Sequence, residues 1–203
     1  GKQESMTKDY AYNWSQGVGE SLTFMIPDLY GGAYSMNEMM KPESNFYKAF
    51  GQNFGQYSEQ EQNQVLSFFA QNMNQYWGGK PSTSGGYYFG AAVCFLFVFG
   101  LFIVRSRLKW WILATTILFM LLSFGKNFPL ISDLFYNYFP LYNKFRAVES
   151  ILAVVGLMVP MLAFLAIKEA QEGGLDQKVL VKKLTWAAGI TGGFSLIVAI
   201  APS

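Results

Sequence analysis

The sequence predicts an all-α polytopic membrane protein, with four transmembrane helices following an extracytoplasmic, partly helical segment. Three observations lead there. Residues 87–104, 110–124, 151–167 and 184–201 carry no charge, whereas residues 1–84 carry thirteen charged side chains. Aromatic residues make up 18% of the chain and charged residues only 14%, against roughly 25% charged in soluble domains. Lys and Arg gather in the short links between apolar stretches, as they do in loops kept on the cytoplasmic side.

Residues 1–84 form the first predicted element, an extracytoplasmic segment. Within it, Ser58 and Glu61 have the spacing of a capping box, in which each side chain satisfies the other residue's backbone N–H. Val65, Phe69, Met73 and Tyr76 then recur every three or four residues, which predicts an amphipathic helix over about 58–77. The turn-rich stretch 78–85 links it to the membrane region.

About 20 apolar residues are needed to cross a hydrocarbon core of roughly 30 Å. Span one is predicted at 85–104, opening on Tyr87 and Tyr88 as an interfacial belt. Span two, 108–125, opens on Trp110 and Trp111. Span three, 150–167, contains Gly156 and Pro160 and is expected to kink. Span four, 183–201, carries Gly189 and Gly193 at the spacing of a close helix-packing motif. Arg105, Arg107 and Lys109 lie between spans one and two, and Lys168, Lys178, Lys182 and Lys183 between three and four. The link between spans two and three holds only Lys126, Lys144 and Arg146, so it is expected outside with residues 1–84. Because the chain opens without methionine and stops as an apolar run ends, it is expected to be an internal section of a longer protein.

Composition removes several kinds of chemistry. There is no histidine, hence no histidine base or ligand. The single cysteine, Cys94, lies within an apolar run and is expected to pack as a small hydrophobe. Gly17 and Gly19 precede no lysine at a phosphate-binding position, so they form no P-loop. Basic residues are not massed with aromatics, which argues against nucleic acid.

What remains is the link between spans two and three. Lys126, Lys144 and Arg146 stand beside aromatics at the depth of a lipid phosphate, where they are candidates for phosphate binding or simply snorkelling anchors. Asp133 and Glu149 are their acidic partners, and Arg146 and Glu149 are spaced to pair on one helical turn. Asp9, Glu20 and Asp28 are further outside carboxylates that are candidates for a base or a cation ligand, each expected instead at a surface or cap. The sequence identifies no cofactor and no metal ligand set; a divalent cation is the one such partner these carboxylates leave open.

Three stretches together resemble the YfhO-like family of bacterial membrane proteins. They are residues 12–20 continuing to 26–32, residues 76–78 with 83–85 leading into span one, and Ser123, Phe124, Gly125, Lys126 and Asn127 continuing to Tyr142, Asn143, Lys144, Phe145, Arg146 and Ala147. Residues 80–82 and 85–86 depart from the family's wording. The resemblance implies a bacterial cytoplasmic-membrane protein of GT-C type, a glycosyltransferase using a polyprenyl-phosphate-linked sugar at the outer face for envelope glycosylation. It implies partners in membrane lipid, the polyprenyl-phosphate carrier and the remaining spans of a longer protein. The family's catalytic acid is expected in a first outside loop beyond this section, which would leave the section inactive by itself. The alternative is a non-enzymatic lipid-carrier transporter or a membrane subunit of an envelope assembly complex. A secondary transporter would place charge within its spans, and these have none.

Overall fold

The computed structural model describes residues 7–32, 41–72, 75–81, 83, 85–140, 142–144 and 147–200. Among them regular structure is helical, with one isolated bridge between Gly31 and Tyr76 and no strand. The helices are α1 (Lys8–Ala11), α2 (Asn45–Phe54), α3 (Glu59–Asn72), α4 (Ala91–Ile103), α5 (Leu108–Ser123), α6 (Pro129–Tyr138), α7 (Leu152–Glu172) and α8 (Gln177–Ile200). They fall into two compact units, Tyr30–Gly86 and the remainder.

The smaller unit rests on aromatic packing between α2 and α3. Ser44 caps α2 by accepting from the Tyr47 amide at 3.0 Å. Phe46, Phe50 and Phe54 then recur every four residues, and the Phe46 ring meets Phe69 of α3 edge-on at 5.8 Å. The capping box that opens α3 is present: the Ser58 amide donates to Glu61 Oε2 at 2.9 Å, and the Glu61 amide to Ser58 Oγ at 3.4 Å. The Ser58 hydroxyl, donating to Glu61 Oε2 at 2.7 Å, and then the Ser58 amide hold the Glu61 carboxyl below its usual pKa. The helix ends at Asn72 rather than near 77, and Met73 lies outside the described residues. Tyr76 is buried, but by extended backbone: the Trp77 amide donates to Tyr30 O at 2.9 Å.

In the larger unit α7 packs along α4 and α5, and α8 along α4. Two helices are long and apolar enough to cross a membrane, the stretch Val148–Glu172 that contains α7, and α8. At 1.5 Å per residue α7 extends about 31 Å and α8 about 36 Å, whereas α4 and α5 reach only about 20 and 24 Å.

Span one shows where sequence and structure part. The predicted start at residue 85 is extended chain, and α4 begins at Ala91. Gly90 takes φ +102°, a left-handed value that blocks helical continuation upstream. The amides of Phe89 and Gly90 donate instead to Phe24 O at 3.0 and 3.2 Å. Residues 7–29, expected with the outside segment, therefore group with the helical unit. Spans three and four differ only at their ends, α7 continuing to Glu172 and α8 beginning at Gln177, with Ala201 outside the described residues.

The close helix approach lies elsewhere than predicted. Gly189 and Gly193 have nothing within 4 Å of a Cβ built on them among the described residues. At Gly100 of α4 such a Cβ would stand 3.0 Å from Leu162 Cγ and from Leu162 O of α7. That seam is the core, where Phe99, Ile103, Leu162 and Ala166 are buried together. Pro160 sits inside α7 as expected, and Gly156 one turn earlier lies against the Phe89 ring.

The two links rich in Lys and Arg meet at one end of this unit. Arg105 Nε lies 3.4 Å from Glu169 Oε1, and Lys183 Nζ stands 5.6 Å over the Phe102 ring. Lys109 Nζ donates to Leu101 O at 3.0 Å, satisfying a carbonyl in the last turn of α4.

Candidate functional site

The opposite end of the larger unit is assembled from three sequence-distant pieces. Residues 12–16 lie over the end of α5, where the Gln16 amide donates to Ser123 O at 2.9 Å and caps that helix. The Lys126 amide donates to Ser15 Oγ at 3.0 Å, and Asn127 Nδ2 to Gln16 O at 2.8 Å. Gly125 adopts φ +44°, and a Cβ there would overlap Ser15 Oγ. The first and third stretches singled out in the sequence are thus in direct contact.

Asp133 of α6 is held by this same N-terminal piece. Lys8 Nζ lies 2.8 Å from Asp133 Oδ2, and Tyr12 Oη donates to Asp133 Oδ1 at 3.3 Å. Burial, and secondarily the Asp133 carboxylate, push the Tyr12 phenol above its ordinary pKa. Tyr12 is buried with Ala11 and Val148, and its ring meets Tyr136 edge-on at 5.9 Å.

Beside this cluster lies an apolar cavity of about 540 Å³. Leu118, Phe119 and Leu122 of α5 form one wall and Phe135 and Phe139 of α6 another, with Tyr142, Ala147, Val148, Ser150 and Ile151 closing it. Its volume falls within the roughly 300–1,000 Å³ of small-molecule sites. Tyr142 meets Phe135 edge-on at 5.9 Å, and its buried hydroxyl has no hydrogen-bond partner among the described residues. Burial pushes that phenol up to about 12. A buried donor on an apolar wall is costly unless a guest or water meets it.

The candidate residues distribute around this region. Lys126 follows the cavity wall by four residues on the 3₁₀ turn Gly125–Asn127, its side chain exposed. Lys144, half-buried, shares the 3₁₀ turn Tyr142–Lys144 with the cavity's tyrosine. Glu149, also half-buried, lies on the next such turn, Val148–Ile151. Arg146 lies outside the described residues, as does its predicted pairing with Glu149. Among the remaining carboxylates Asp9 is exposed, and Asp28 is exposed at φ +55°. Glu20 is not at a surface: it is buried in the 3₁₀ segment Gly19–Phe24, its side chain folded against Gly17. Among the described residues no group of three potential metal ligands occurs.

A second cavity, of about 310 Å³, lies where that 3₁₀ segment enters the helices, lined by Ser21, Phe24, Cys94, Thr116, Met120 and Phe194 among others. Cys94 is partly buried there, its Sγ 3.5 Å from Phe24 O. Sequence reasoning overlooked α6 and the cavity tyrosine. The signal for α6 was Pro129 at its first turn, followed by Leu130, Leu134 and Tyr138 at four-residue spacing. Comparison of the chain with family models, curated proteins and solved structures finds no match.

Proposed function

We propose that the chain is a four-span section of a YfhO-like, GT-C-related bacterial membrane protein that binds a polyprenyl-phosphate-linked sugar at the outer face for envelope glycosylation. The observation that carries this reading is the 540 Å³ cavity, almost wholly apolar, with Lys144 two residues beyond Tyr142 on its wall. An isoprenoid tail needs apolar room, and its phosphate needs cations at the mouth. Lys126 and Lys144 lie on the turns next to residues of the cavity wall, and Arg146, next in sequence to Ala147, is the third cation of this link, with the planar fork that suits phosphate oxygens. The meeting of both basic links at the other end of the unit supports an orientation that puts the cavity outside.

The test is binding of a fluorescent polyprenyl phosphate to the full-length protein in nanodiscs, normalised to folded protein. A charge-assisted contact contributes about 1.5–3 kcal/mol, so Arg146→Ala should weaken binding roughly tenfold to a hundredfold. Arg146→Lys should recover part of that loss, whereas at a snorkelling anchor lysine would substitute fully. Ala147→Trp, which fills the cavity, should weaken binding of the lipid but not of a short-chain phosphate. Parent-like binding by all three variants would remove the carrier from this site. Binding without sugar transfer would favour the lipid-carrier transporter.

A further inference from the structure

Helix α6 turns one face to the protein and leaves an apolar stripe on the other. Its inward side carries Phe135 on the cavity wall and Ser132, fully buried and donating to Leu122 O at 3.4 Å, while Asp133 at its margin, a third exposed, is bound by Lys8 and Tyr12. Its outward side carries Leu130, Leu134 and Tyr138, which are 75%, 55% and 80% exposed and stand one turn apart. Phe128 extends the exposed apolar surface past its start. A helix facing water puts its leucines inward; here Leu130 and Leu134 point out. At ten residues, about 15 Å, α6 is too short to cross a bilayer.

We infer that α6 lies in the membrane interface, with Leu130, Leu134 and Tyr138 among the lipid acyl chains. Lipid, rather than a protein partner, is the occupant because the stripe is continuous with surfaces already suited to it. Five residues of link, with Lys126 exposed in their midst, join α6 to α5, which exposes Ile117 in its middle and Trp110 and Trp111 toward its far end. The 3₁₀ turn that follows leads into α7, where Leu157 and Phe164 are exposed. Aromatic residues at both ends of α6 and a cation beside it match the amphipathic composition of interfacial anchors. The consequence is positional: α6 walls the 540 Å³ cavity from its other side, so a lipid-embedded α6 sets that cavity at the depth of the acyl chains and Lys126 at that of the phosphates.

This inference rests on the membrane reading, and the experiment separates the two. Single cysteines replace Leu130, Leu134, Leu157 or Ser106 in a Cys94→Ala background of the full-length protein, are spin-labelled, and are reconstituted in phosphatidylethanolamine–phosphatidylglycerol vesicles. Collision rates with oxygen and with a water-soluble nickel chelate then report depth. The label at 157 should favour oxygen most, and that at 106 should favour the chelate. Labels at 130 and 134 should favour oxygen several-fold over the label at 106, at a shallower depth than 157. If 157 is deep while 134 meets the chelate freely, α6 faces water and the inference falls. If 134 is shielded from both reagents, protein covers it and the inference falls equally. If 157 itself meets the chelate, the membrane reading fails first.

Discussion

Replacing Gly125 with alanine tests the junction on which the candidate site is built. Its φ of +44° is one that alanine adopts at a cost of about 1–2 kcal/mol. The added Cβ would overlap Ser15 Oγ and stand 3.0 Å from Val148 Cγ2 and 3.1 Å from Ser15 Cβ. Ser15 would have to turn away, giving up the bond from the Lys126 amide, worth about 0.5–1.5 kcal/mol. Together these predict a loss of about 2–4 kcal/mol, which reversible denaturation in mixed micelles resolves. The clash and the dihedral strain can be separated, because a Ser15→Gly background removes the clashing side chain and the hydrogen bond in advance. There, Gly125→Ala should cost less, the dihedral part of about 1–2 kcal/mol together with whatever the Val148 contact adds. A near-neutral Gly125→Ala, or equal costs in both backgrounds, would mean that residues 12–16 do not lie against the end of α5.

Three further outcomes follow from the same contacts. The Tyr142 phenol is raised from 10.0 to about 12, so the folded state holds that proton longer than the unfolded chain. Its contribution is present below pH 10 and lost between about pH 10 and 12; stability across that window should therefore fall less steeply in Tyr142→Phe than in the parent. In the smaller unit, Phe69→Asp places a charge against the Phe46 ring and should cost about 2–3 kcal/mol, whereas Phe68→Asp on the exposed side should be nearly neutral; circular dichroism melts that shift equally would refute the α2–α3 packing. A cysteine at Ser106 should resist an impermeant thiol reagent in intact cells while one at Ser82 labels, and the reverse pattern would invert the proposed orientation.

The apolar helices were legible because their signal is local. Fifteen or more consecutive uncharged residues leave no other element to form, and α5, α7 and α8 appear within a few residues of the predicted spans. The capping box was legible for the same reason, since Ser58 and Glu61 need only each other. Tyr76 shows the limit of periodicity: it falls on the face defined by Val65 and Phe69, yet what buries it is backbone pairing with Gly31 from across the unit. At the candidate site, Lys126 and Lys144 were visible as cations beside aromatics. The cavity near them depends on Phe135, turned inward by an α6 that Ser132 ties to Leu122 O, and on Phe139 just beyond that helix. Nothing in the order of residues marks Lys8 as the partner of a carboxylate 125 positions away.

The same long-range contacts bear on the two apolar helices, α4 and α5, that fall short of a hydrocarbon core of about 30 Å. Irregular backbone at that depth is tolerated only where protein satisfies its polar groups. The start of α4 and the end of α5 have backbone groups met by the N-terminal piece. The chain leading into α4 is extended rather than helical, but its amides at Phe89 and Gly90 find Phe24 O, and Tyr87 O accepts from Thr23 Oγ1 at 2.9 Å. The end of α5 has its Ser123 carbonyl met by the Gln16 amide. Thr116 and Ser123, buried within α5, donate to carbonyls of their own helix at 2.8 and 2.7 Å. Residues 12–26 thus serve where further helical turns would otherwise be needed, with Phe24 filling the space against Leu152, Val155 and Val159 that such turns would occupy. A helix extension would leave a smooth apolar cylinder at this end. The folded-in segment instead brings buried Gln16, Glu20 and Thr23 to the ends of the helices, and it is this substitution that gives the unit a polar, shaped face on which chemistry can be arranged.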